Sequence, residues 1–278
     1  MSSGSRHVLS LQAFNIIAYE EKILRSIFSM SKRGGNTEAE LEHGKLLLAG
    51  GASEIWGWGT PAGKERVRRR VAWLRQACRL QPRVKALECG CGIGLFSREL
   101  AESGAEITAV DISPDLLKRA RQECTSPNLA FVLDNLENPS ALEDNYFDAL
   151  CGVSILHHLN LPQALAALRT KCKPGAKFAF SEPNILNPIN KYYMFVPDPE
   201  KRKARGISPS EMAFRPKELR SIFTDAGYIV ERLSMRDFLH PSIPRLFIPI
   251  FDFAGRVAEV TPLLKLWSGS IWIQGRVS

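Results

Sequence analysis

The run Leu87-Glu88-Cys89-Gly90-Cys91-Gly92-Ile93-Gly94 limits what this chain can become more than any other stretch. Residues 84–88 before it read as a short apolar strand ending in an acid, and residues 96–103 after it read as a helix. Glycine at alternate positions allows a tight strand-to-helix turn and lets a ligand lie against bare backbone. A dinucleotide fingerprint of the G-x-G-x-x-G type would place its third glycine at position 95, which is Leu95 here. The chain instead has G-x-G-x-G, with Gly90, Gly92 and Gly94.

Downstream, strand and helix patterns alternate, which predicts a parallel sheet flanked by helices. Strands are expected at 106–110, 129–133, 147–153, 177–181, 228–235 and 269–277, and helices at 114–122, 161–170 and 216–226. Pro114 and Pro162 fall in first helical turns, where a missing N–H costs little. Upstream, apolar spacing predicts a helix over 9–30, a short one over 38–48 and a basic one over about 62–79. These form a helical N-terminal cap, 1–80, on a domain spanning 81–278. Two segments break the rhythm of that domain and read as inserted lids. One is 183–214, with its prolines and the basic residues Lys201, Arg202, Lys203 and Arg205; the other is 237–268.

Acids close several strands. Asp111, in Val110-Asp111-Ile112-Ser113-Pro114, stands beside the glycine turn, where a carboxylate accepts hydrogen bonds from both hydroxyls of a ribose; capping of the next helix is its alternative role. Asp134, followed by Asn135, ends the third strand and suits an adenine amino group. Val153 ends the fourth, and Ser154-Ile155-Leu156-His157-His158-Leu159 follows. His157 and His158 stand at the face where a second substrate must lie, and an imidazole can take a proton near neutral pH. Glu182, ending the fifth strand, competes for that role, and for one of the two histidines helix capping or core packing is the plainer reading.

Taken in order, ECGCGIG, VDIS, LDN, FDALCGVSILHHL and KPGAKFAFSEPN resemble the motifs of class I S-adenosylmethionine-dependent methyltransferases, in particular the small-molecule branch containing the ubiquinone/menaquinone C-methyltransferases. The resemblance covers about residues 84–236. It implies a Rossmann-like α/β fold with a seven-stranded, mainly parallel sheet whose last strand is antiparallel. It also implies S-adenosyl-L-methionine as cofactor, contacted by Glu88, Gly90, Gly92, Asp111, Ile112, Asp134 and Asn135; Cys91, Gly94 and Val153 lie in the same motifs and are counted with them. Cys89 departs from the pattern, which more often has Gly or Val there. Upstream, Trp56 and Trp58 with Lys64, Arg66 and Arg70 offer an aromatic wall for a sulfonium and an arginine for the methionine carboxylate. Trp58 is therefore added to the cofactor set. Tryptophans packed in the cap beside a solvated basic helix face are the alternative.

Charge and composition narrow the partners. A formal charge of +8 favours anionic partners or simply a basic surface. The six cysteines are scattered, with no four-ligand metal set and no disulfide framework, which fits reduced thiols in the cytoplasm. No apolar run reaches membrane-spanning length, and the start lacks a signal-peptide pattern. The apolar stretch from Phe238 to Trp267 predicts a hydrophobic acceptor, lipid-, prenyl- or polyketide-like, with phosphate a further feature suggested by the basic cluster. A peripheral membrane contact or a homodimer contact are the other uses of such a stretch. An RNA methyltransferase and a non-catalytic partner subunit stay open as alternatives, although no appended RNA-binding module is visible.

Overall fold

The computed structural model describes residues 37–50, 57–194, 198, 200–201 and 213–278. The helix expected over 9–30, Trp56, and Arg202, Lys203 and Arg205 lie outside these residues.

Seven strands form one sheet in the order β3-β2-β1-β4-β5-β7-β6. They are β1 (Lys85–Cys89), β2 (Glu106–Asp111), β3 (Leu129–Leu133), β4 (Phe147–Val153), β5 (Cys172–Pro183), β6 (Tyr228–Arg236) and β7 (Ser270–Val277). The first five pair in parallel, while β7 lies between β5 and β6 and runs antiparallel to both. The expected mainly parallel sheet with a reversed last strand is what the chain forms. Strand β5 is longer than the predicted 177–181. Its Lys173-Pro174-Gly175 start, expected as a turn, stays in the strand through an irregularity beside Phe147 and Ala149, with Gly175 at φ 79.

Side-chain size alternates along the central strands, and this sets the layers. Ala149 and Cys151 of β4 and Ala179 of β5 face one side; Leu150, Phe178 and Phe180 face the other. The small-residue face lets helices α2 (Pro61–Ala77), α3 (Leu95–Ala101) and α4 (Pro114–Glu123) close onto the sheet through Val67, Val71, Leu74, Leu100 and Leu117. The large-residue face takes α5 (Leu161–Lys171) and α7 (Pro216–Asp225), with Phe178 stacked on Phe223 at 4.9 Å and edge-on to Tyr228 at 5.4 Å.

Local chemistry fixes the helix starts. Thr60 caps α2 by accepting from Gly63 N at 3.0 Å, and Ser113, rather than Asp111, caps α4. Pro61 and Pro114 then occupy first-turn positions that need no N–H. Helix α1 (Thr37–Gly50) crosses α4, where Gly44 is buried so close to Ser113 that a Cβ would come 2.8 Å from its Oγ. The 183–214 segment carries α6 (Pro188–Met194), and 237–268 carries α8 (Ile248–Val260) between two short 3-10 turns. Among the described residues no helix is long and apolar enough to cross a membrane.

Phe223 is fully buried within the aromatic cluster. Phe223→Ala is expected to cost about 3–5 kcal/mol, measured as a lower urea midpoint with unchanged slope.

Candidate active site

The carboxyl ends of the parallel strands and the start of β7 open onto one cavity of about 1110 Å³. That exceeds the roughly 300–1,000 Å³ typical of a site for one small ligand, so there is room for two. Gly90 after β1, Asp111 at the end of β2, Asp134 after β3, Val153 at the end of β4, Pro183 at the end of β5 and Ser270 of β7 all line it. Its centre is the switch point between β1 and β4, where adjoining crossovers leave in opposite directions.

The glycine turn explains its own composition. Gly90 has φ 68, and a Cβ there would lie 2.4 Å from Ile155 Cδ1. Gly92 has φ 53, yet a Cβ there would meet no protein atom within 4 Å. Gly92 therefore serves both the left-handed backbone and the open space beside it, as a ligand cradle requires. Gly94 belongs to a different surface. It stands outside the cavity wall, and its missing Cβ makes room for Cys124 Sγ and Phe131.

Asp111 braces the turn. One carboxylate oxygen accepts from Gly92 N at 2.8 Å and the other from Ser113 N at 2.9 Å. Burial raises its pKa and these N–H groups pull it back. Each oxygen keeps acceptor capacity for a further donor. Asp134 organises the loop after β3 in the same manner, accepting from Asn135 N, Ser140 N and Ala141 N. Ile112 and Asn135 line the cavity beside these acids, as does Cys91. Burial pushes the Cys89 and Cys91 thiols well up, so both are neutral packing groups rather than nucleophiles.

Glu88 falls elsewhere. It is 3% exposed on the α3 side of β1 and outside the cavity wall, and its Oε2 has no hydrogen-bond partner among the described residues. Burial pushes its carboxyl up to about 7.

Trp58 lines the cavity edge-on to Phe96, with Arg66 and Arg70 over its ring at 4.7 and 5.1 Å. The face expected for a sulfonium is thus shared with two guanidinium groups. Nor is the basic face of α2 uniformly solvated: Lys64 and Arg68 are exposed, but Arg66, Arg69 and Arg70 turn inward. Arg70, 2% exposed, donates to Asp237 Oδ2 at 2.6 Å, to Ser270 Oγ at 2.8 Å and to Ser181 Oγ at 3.2 Å. Arg66 donates to the same Asp237 oxygen at 2.9 Å. Burial would raise the Asp237 carboxyl, but the charges of Arg70 and Arg66 outweigh it and hold it down to about 2. Burial brings Arg70 down to about 10, so it stays cationic at neutral pH. Asp237 lines the cavity at the strained φ of 78, and its Oδ1 has no hydrogen-bond partner among the described residues. Sequence reading missed Asp237. Its one visible signal was an acid directly after a strand, as at Glu88, Asp111 and Asp134.

The histidine pair follows the end of β4. His157 and His158 both line the wall, with ring centroids 4.2 Å apart. Glu182 is 1% exposed, outside the wall, and accepts from Ile155 N and Leu156 N at 3.0 Å while lying 2.7 Å from His157 Nδ1. A carboxylate engaged in this way holds the histidine. From sequence Glu182 was expected to compete as a base; here both its oxygens are engaged, one by Ile155 and Leu156 and the other by His157. His158 Nδ1 lies 3.0 Å from Glu40 of α1.

Comparisons with known proteins agree with this geometry. Residues 87–180 match the family described as methyltransferase domain. The ubiquinone biosynthesis O-methyltransferase of Xanthomonas axonopodis pv. citri (strain 306) is 33% identical over 112 residues, 39% of this chain and 47% of that protein. The match thus spans about half the length of the curated relatives. Among solved structures, an S-adenosylmethionine-dependent methyltransferase from Mesorhizobium loti superposes with TM-score 0.57 at 17% identity, covering 76% of this chain and 99% of that one. Magnesium protoporphyrin IX methyltransferase from Synechocystis PCC 6803, solved with bound SAH, superposes at 0.50 with 18% identity, covering 78% and 84%. Residues 87–180 thus match a methyltransferase domain, and the fold is that of the class I S-adenosylmethionine-dependent methyltransferases. Within that class, the relatives it resembles in sequence over 39% of its length are enzymes that methylate oxygen in ubiquinone biosynthesis.

Two substitutions test this reading of the site. The folded chain keeps a proton on Glu88 up to about pH 7, whereas its ordinary pKa is 4.5, so stability falls as pH rises from 4.5 through 7. Glu88→Gln is expected to be more stable than the parent above about pH 7, by up to about 3 kcal/mol, with little difference below about pH 4.5; melting scans across that range check it. Asp237→Ala leaves Arg70 buried without its counter-charge and is expected to cost about 3–5 kcal/mol in denaturant unfolding.

Proposed function

We propose that this chain transfers a methyl group from S-adenosyl-L-methionine to an oxygen or carbon of a small hydrophobic acceptor, with His157 as the base. The observation that carries the reading is one cavity joining a glycine cradle to a histidine held by a buried carboxylate.

The residues present fit the cofactor: the space beside Gly92 is open, and acids stand at the ends of β2 and β3. Gly90, Cys91, Gly92, Ile112 and Val153 would form the bed, Asp111 would take the ribose hydroxyls, Asp134 and Asn135 the adenine, and Trp58 the edge of the methionine part. When bound, the cofactor supplies an electrophilic methyl group on a sulfonium, open to in-line displacement. Gly94 lets the turn pack closely on Cys124 and Phe131 behind it.

Glu182 can only accept hydrogen bonds as a carboxylate, so His157 Nδ1 carries the proton shared with it and Nε2 is the basic nitrogen. His157 then takes the proton of an acceptor hydroxyl or carbon acid at Nε2, and Glu182 is a positioning residue that stabilises the resulting imidazolium. Asp237 Oδ1 supplies an acceptor for a donor group on the substrate. Ile155, Leu159, Ile189, Phe238, Leu239 and Trp267 give this half of the cavity an apolar wall, which supports a hydrophobic acceptor. We assign residues 1–80 as the cap, and 183–214 and 237–268 as lids; α1, α2, α6 and the turn after β6 all contribute to the cavity wall. The 33%-identical relatives, named for ubiquinone biosynthesis, support an acceptor of this kind.

His157→Ala is expected to lower kcat by about 10²–10⁴-fold while leaving affinity for S-adenosylhomocysteine within about twofold of the parent. Glu182→Gln is expected to lower kcat less and to move the pH profile of kcat, the mark of a positioning role. Unchanged kcat in His157→Ala would remove the base assignment.

A further inference from the structure

Helix α8 is built inside out. Its inward positions are polar or small: Asp252, Gly255 and Glu259, where Glu259 accepts from Arg69 at 2.7 Å, from Arg236 at 2.8 Å and from Asp237 N at 2.9 Å. Its outward positions are apolar, with Ile250 at 65%, Phe253 at 70% and Val260 at 71% exposure. The surface continues through Leu246, Leu263 and Trp267, each more than half exposed. A helix that turns its acids to arginines of α2 and β6 and its aromatics to the outside has an outer face suited to another apolar medium.

Two further features say which medium. Both acids between residues 238 and 268 are engaged with arginines, Asp252 with Arg69 and Arg256 and Glu259 with Arg69 and Arg236, whereas Arg245 is exposed at the edge of the patch and Lys191 and Tyr192 are exposed on neighbouring α6. The charge around the apolar face is therefore cationic, on a chain of net +8. The patch is also continuous with the cavity: Trp267, 57% exposed, and Ile189, 48% exposed, both line it.

We propose that this face docks on an anionic lipid bilayer, with Phe253, Val260 and Leu263 entering the headgroup boundary and Arg245 and Lys191 meeting lipid phosphates. A hydrophobic acceptor then passes from the bilayer between Trp267 and Ile189 into the cavity without crossing water. The passage of the acceptor rests on the function proposed above; the docking does not. Apolar insertion and cation attraction add at such a surface, and the electrostatic part weakens with salt.

Cosedimentation of the full chain with vesicles of phosphatidylcholine, alone or mixed with phosphatidylglycerol, tests it. The parent is expected to bind the mixed vesicles in a salt-sensitive way and the neutral ones weakly. The double variant Phe253→Asp, Val260→Asp is expected to bind at least about tenfold more weakly, and Arg245→Glu is expected to reduce binding to the mixed vesicles alone. Both variants should keep the parent's affinity for S-adenosylhomocysteine, which reports an intact fold and cavity. No binding to either vesicle, or equal binding by the double variant, overturns the proposal. So does sedimentation velocity showing a dimer that Phe253→Asp dissolves, which gives the face to a second copy. Vesicle binding that appears only after Phe14→Asp and Ile17→Asp also overturns it, giving the face to residues 9–30. Vesicle binding without turnover of any apolar acceptor keeps the docking and removes the acceptor assignment.

Discussion

The two hydrogen bonds that Asp111 accepts, from Gly92 and from Ser113, hold the cofactor half of the molecule in shape. They tie the turn after β1 to the end of β2 and the start of α4, so the left-handed glycines have a fixed partner rather than a choice of conformations. Left-handed backbone is cheap only at glycine, and an open space beside it is useful only if the loop cannot collapse into it. A carboxylate that braces the loop and keeps acceptor capacity meets both needs. Asp134 repeats the arrangement one strand further out.

The other half of the cavity depends on buried charge. Arg66 and Arg70 of α2 meet Asp237 at the end of β6, while Arg69 and Arg236 meet Glu259 of α8. This network attaches α2 and the 237–268 segment to the sheet edge at which β5, β7 and β6 meet. Such pairs contribute little net stability compared with an apolar core, but removing one partner is costly, so they fix geometry strongly. Here they fix the position of Trp58, Asp237 and the cavity mouth together. The same network draws the acids of α8 inward and leaves its apolar residues outside.

The sheet was legible in sequence because its signals are local. Strand and helix periods, proline in first turns and acids at strand ends all fall within a few residues of one another, and the predicted elements from 84 to 236 differ from the observed ones mainly at their boundaries. Asp111, Asp134, His157 and His158 could be picked out since each follows a strand at the edge where ligands bind. What was not legible depends on long separations. Arg70 and Asp237 are 167 residues apart, and nothing near either marks the other. Glu182 read as a base because its strand-end position was visible, whereas its burial and its bonds to Ile155, Leu156 and His157 were not. Glu88 and Gly94 sit in the right motif but face away from the cavity, a matter of strand pleat and turn geometry. The segment 238–267 read as apolar, but only its pairing with α2 decides which side faces out.

Calorimetric titration of the full chain with S-adenosylhomocysteine is the most direct test of the central claim, that the glycine turn and its neighbouring acids hold an adenosyl cofactor. The structure predicts saturable binding at one site per chain. A folded chain that shows no heat of binding and no thermal stabilisation at saturating ligand would contradict it.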